Sequence, residues 1–64
     1  MYRVVELFGH DRDDGQDFES IERAAESMAR LASEAICHRR PLQLVLEGPN
    51  HAVIQSVAVS VFPH

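Results

Sequence analysis

Apolar and polar residues change rhythm several times along the chain, and each change predicts an element. Arg3 to Phe8 (Arg-Val-Val-Glu-Leu-Phe) is short, rich in β-formers and stopped by Gly9, which predicts a strand. Gly9 to Glu19 is polar except for Phe18 and reads as a loop. From Ile21 onward, Ile21, Ala24, Ala25, Met28, Leu31, Ala32, Ala35 and Ile36 recur at intervals of three and four, the period of an amphipathic helix. Ser20 suits the N-cap, because its hydroxyl accepts an orphan amide of the first turn, and Glu22 suits the positive end of the helix dipole. Glu26 precedes Arg30 in the favourable order for i,i+4 pairing. His38, Arg39 and Arg40 suit the negative end, and Pro41 marks the stop. The apolar stripe reads as one packing face with a wet face opposite.

Leu42 to Glu47 alternates, with Leu42, Leu44 and Leu46 on one side and Gln43, Val45 and Glu47 on the other. Gly48-Pro49-Asn50-His51 has the chemistry of a turn. Ala52 to Phe62 is the last predicted strand. Val53, Val57, Val59 and Val61 alternate there with Ile54, Ser56, Ala58, Ser60 and Phe62, and Gln55 interrupts the first set. The order β-α-β-β predicts a single small α+β domain over residues 1–64, with one helix packed on a three-stranded sheet. A helix that returns the chain makes the first two strands parallel, and the tight turn makes the third antiparallel to both. Being longest, the third strand is expected at the centre, in the order 1-3-2. This arrangement gathers His10 and His51 at one end of the domain, and Cys37, His38, Arg39, Arg40 and His64 at the other.

One helix covers one sheet face. The expected inner set is Leu42, Leu44 and Leu46 with Val57, Val59 and Val61. The outer face is then left with Val45, Ile54, Ala58 and Phe62, joined by Tyr2, Val4 and Phe8 or by Val5 and Leu7. That is more apolar surface than a small monomer usually leaves wet, so these four residues are the expected interface of a homodimer. Chain length points the same way. Sixty-four residues bury only about 60% of their unfolded surface, and such small cores lean on disulfides, metals or self-association. Cys37 is the only cysteine, so no intrachain disulfide forms.

Apolar residues at 45% and charged residues at 25% describe an ordinary folded domain. Ten acidic residues against six basic ones give a net charge of −4, and Arg39-Arg40 is the only basic doublet. A nucleic-acid partner is therefore not expected, since phosphate neutralisation calls for a basic stripe. No apolar run approaches the roughly 18 residues of a membrane span, and Met1-Tyr2-Arg3 does not lead into a signal peptide, so the cytoplasm is the expected location. All six basic residues are arginine, a usage that suits a GC-rich bacterial genome.

The acidic stretch carries the most chemical-looking pattern. Asp11-x-Asp13-x-Gly15-x-Asp17-x-Glu19-x-x-Glu22 resembles an EF-hand calcium loop over 12 residues, with Phe18 at the apolar position. It departs from that pattern where Gln16 replaces the glycine of the sharp turn, and where a strand replaces the preceding helix. A solvated loop is the adopted reading. A metal site recruiting His10, Asp11, Asp13, Asp17 and Glu22 with His51 is the alternative, although no C-x₂-C or H-x₃-H spacing is present. Cys37 and His38 are adjacent on a helix and point about 100° apart, so Cys37 reads as a small packing residue.

Catalytic signatures are missing: there is no G-x-S-x-G, P-loop, G-x-G-x-x-G or H-E-x-x-H. His10, Asp13 and His51 are the only acid–base candidates expected near one another. Length and part of the layout resemble the 4-oxalocrotonate tautomerases, but their catalytic amino-terminal proline is replaced by Tyr2, so the resemblance is set aside. No cofactor is expected. The function expected is that of a non-catalytic homodimeric interaction or accessory module, with a further protein partner allowed for. A divalent-metal-binding protein using residues 10–22 with His51 is the alternative.

Overall fold

The computed structural model describes residues 1–61. Strand β1 (Tyr2–Phe8) turns back at once through Gly9 and His10 into β2 (Asp11–Arg12), pairing Phe8 with Asp11 and Leu7 with Arg12. Gly9 sits at φ +65 in the first central position of this two-residue turn, the place a type II′ hairpin reserves for glycine. After a one-residue slip over Asp13–Gly15, β3 (Gln16–Phe18) continues along the same edge of β1, with Tyr2 opposite Phe18 and Val4 opposite Gln16. β2 and β3 are thus one interrupted strand. The stretch expected to be a polar loop is half of a hairpin. Its polarity follows from its edge position, where charged side chains are normal.

That extra reversal corrects the predicted topology. The chain now enters the helix travelling opposite to β1, so β4 (Leu42–Glu47) returns antiparallel to it, with Val4 opposite Leu46 and Glu6 opposite Leu44. β5 (Val53–Val59) then pairs antiparallel with β4. Among the described residues the sheet has five strands, all antiparallel, in the order β2-β1-β4-β5 with β3 beside β1. The expected three-stranded sheet with a parallel pair and the order 1-3-2 is overturned. The α+β class with one helix stands. The strand expected at the centre is an edge, and it is shorter than expected, ending at Val59.

Helix α1 (Ile21–Cys37) starts where the sequence places it: the Ser20 side chain accepts from the Arg23 amide at 3.2 Å. Its far end closes without glycine. Arg39 takes the left-handed conformation (φ 52), and the amides of Arg39 and Arg40 donate back to the carbonyls of Ile36 (3.2 Å) and Ala35 (2.8 Å). This is a Schellman closure with arginine in the position glycine usually fills. The β4–β5 turn shows the same economy. The His51 amide donates to the Gly48 carbonyl at 3.0 Å, and His51 itself sits at φ 62. A turn followed by a left-handed residue is the usual three-residue hairpin loop, again with a non-glycine residue in the strained place.

The helix lies on one sheet face and packs against β1, β3, β4 and β5. Between them Val4, Leu42, Leu44 and Leu46 meet Ala24, Met28 and Ala35, with Tyr2, Phe18, Leu31, Val57 and Val59 around the rim. The alternation in β4 therefore sorted its leucines correctly. Val61 is exposed beyond β5 and is no part of this core. Small helical residues let the backbone sit close to the sheet.

Candidate functional site

The antiparallel β1–β4 pair decides where the candidate residues fall. The His10 turn lies at the end of the sheet shared with Arg40, Pro41 and Ser60, around a groove of about 500 Å³. The turn carrying His51 follows Glu47, which is opposite Arg3, so it lies at the other end, beside the start of β1. His10 and His51 were expected together; the fold separates them by the length of the sheet. Among the described residues no three His, Cys, Asp or Glu side chains are placed to share a metal ion.

Each acidic candidate, Asp11, Asp13, Asp17 and Glu22, has a local position. Asp13 Oδ1 accepts from the amides of Glu6 and Gly15, both at 3.0 Å, and so satisfies the backbone where the β2–β3 strand slips. Asp17 pairs with Arg3, whose Nε donates at 2.8 Å. That hydrogen bond holds the Asp17 carboxyl below its ordinary value and raises the Arg3 guanidinium. Asp11 is in β2, and Glu22 is in the first turn of α1. The acid–base set His10, Asp13 and His51 does not converge.

The outer sheet face is less bare than its pattern suggests. Arg12 Nη2 donates to Glu47 Oε1 at 2.9 Å, although Glu47 is buried and β1 runs between them. Arg12 is opposite Leu7 and Glu47 is opposite Arg3, so the line joining them crosses β1 at Val5. Gly15 closes over the same residue: a β-carbon there would come within 2.9 Å of Val5 Cγ2 and of Arg3 Cγ. Val5 is accordingly 0% exposed on the face away from the helix. An ion pair and a glycine cover this side of the sheet. A lone buried carboxylate would carry a large desolvation cost, and the guanidinium supplies the partner that offsets it.

Of the expected interface residues, Val45 is half-buried, Ala58 is exposed, Ile54 is exposed at the β4–β5 irregularity, and Phe62 lies outside the described residues. What the sequence reading missed is a second apolar strip on α1. The buried arc is Ala24, Ser27, Met28 and Ala35. Arg23, Ser27 and Arg30 line a groove of about 580 Å³ with Phe18, which fixes that flank toward β3. Ile21, Ala25, Ala29, Ala32 and Ile36 follow on the other flank by the 100° turn per residue, toward β5. Ile36 is 65% exposed there and Ile21 is also exposed. The signal was present in the width of the apolar stripe, which exceeds what one sheet contact needs.

Comparison with known protein families, with curated proteins and with solved structures gives no match. Among the described residues no helix is long and apolar enough to cross a membrane.

Proposed function

We propose that this protein is a small non-catalytic interaction module that works as a homodimer. The observation that carries the reading is apolar surface left without a cover. Val53 is 62% exposed and Ile54 47% exposed, and Ile36 and Val61 are exposed too. A non-catalytic role is proposed because His10, Asp13 and His51 stand apart and the Asp13 carboxylate is engaged by backbone amides. A reducing compartment such as the cytoplasm suits the exposed free thiol of Cys37.

Native mass spectrometry of the untagged chain, before and after chelation, tests this. The expected species is metal-free at twice 7.2 kDa. A monomer at tens of micromolar overturns the reading. A stoichiometric ion lost on chelation replaces it with the divalent-metal alternative, centred on the acidic hairpin.

A further inference from the structure

We infer that two copies of this chain join edge to edge through β5, running antiparallel about a two-fold axis at Val57, with the exposed flanks of both helices turned toward the seam. This rests on the homodimer reading and names its surface. The two sheet edges differ sharply. The β2/β3 edge carries Asp11, Arg12 and Asp17, with Asp13 and Asp14 between, so a second copy there meets like charge. From Gly48 to His64 there is no Asp, Glu, Lys or Arg, and β5 contains no proline. Apart from the irregularity at Ile54, β5 therefore carries no charge or proline to blunt the edge, and among the described residues its outer row of amides and carbonyls is left to pair.

Register follows from face. Antiparallel partners point to the same side of a sheet, and side chains alternate along a strand. Val57 and Val59 face the helix while Ser56 and Ala58 face away, so only odd–odd and even–even pairs are allowed and the axis must pass through a residue. The pairing of β5 with β4 is regular from Gln55 to Val59 and slips at Leu46/Glu47, opposite Ile54. Val57 is the centre of the regular run. The pairs are then Val57 with itself, Ser56 with Ala58 and Gln55 with Val59.

The helices fit this arrangement. α1 packs against β3, β1, β4 and β5 and so centres between β1 and β4, about four strand spacings or roughly 19 Å from its mate. Direct helix contact occurs at about 8–10 Å. The helices therefore do not touch, and Ile21 and Ile36, about 22 Å apart along the axis, lie toward the two ends of the seam.

Sedimentation velocity on four variants tests the geometry, with circular dichroism as the folding control. Ser56 and Ala58 are exposed, so charges there leave the monomer intact. Ser56→Lys with Ala58→Lys sets like charges opposite each other twice and is expected to weaken the dimer at least tenfold. Ser56→Glu with Ala58→Lys sets opposite charges there and is expected to keep it. Ile36→Glu is expected to weaken the dimer, and Val45→Glu, on the outer face, to leave it unchanged. A wild-type dimer that survives the double lysine, or that only Val45→Glu dissociates, overturns the edge while the homodimer stands. Loss of the dimer in both double variants overturns the Val57 register. A monomeric wild type overturns edge and homodimer together.

Discussion

Replacing Gly15 by alanine tests the account of the outer face most directly. Gly15 has φ +79, and a β-carbon there lands 2.9 Å from Arg3 Cγ and Val5 Cγ2. Two penalties follow. A left-handed conformation costs an L-residue about 1–2 kcal/mol. Forcing a methyl against a neighbour that cannot retreat costs about 1–3 kcal/mol more. Val5 is that neighbour, fully buried between Val4 and Glu6 in a paired strand. Gly9→Ala supplies the control, because Gly9 also has positive φ (+65) but nothing lies within 4 Å of its missing β-carbon. Both substitutions reduce unfolded-state freedom similarly, so that contribution cancels in the comparison. A domain of this size has roughly 3–10 kcal/mol of total stability at 0.05–0.15 per residue. Gly15→Ala is therefore expected to lower Tm by roughly 10–25 °C, and Gly9→Ala by less than half of that, at about 4–8 °C per kcal/mol. Thermal unfolding at one fixed protein concentration, followed by circular dichroism, measures both. If Gly15→Ala is no more damaging than Gly9→Ala, the hairpin does not close over Val5 as described.

Two further expectations concern the strained positions and the exposed ion pair. Arg39→Gly and His51→Gly each relieve a left-handed residue and are expected to raise stability by about 0.5–1 kcal/mol after the added unfolded-state entropy is subtracted; a fall in Tm for either one contradicts its assigned turn. Asp17 titrates below its ordinary value because Arg3 hydrogen-bonds its charged form, so its stabilisation is present at neutral pH and disappears as pH falls through the folded value. The Tm gap between wild type and Asp17→Asn should accordingly hold from pH 7 to about 5 and close near pH 2; a gap that persists in acid refutes the pairing.

Local patterns set most of the element boundaries. Ser20 and Pro41 bracketed the helix, and the leucines of β4 identified the inner face, because capping and alternation act within a few residues. The hairpin was hidden for a physical reason. β2 and β3 form an edge whose side chains, Phe18 apart, meet water, so no apolar alternation marks them. Their partner, β1, is fixed by backbone hydrogen bonds that leave no trace in side-chain chemistry. Missing that one reversal inverted the direction of β4 relative to β1, and with it the ends to which His10 and His51 belong.

The sequence by itself therefore determined the helix, the inner leucine face, the uncharged character of the last strand and the surplus of apolar positions. Those properties belong to spacing and composition. Only the tertiary structure decided that β5 is an edge, that Arg12 reaches Glu47 over Val5, and that the spare flank of α1 faces the same side as β5. These depend on how many times the chain reverses before it packs, a global count that no local window contains.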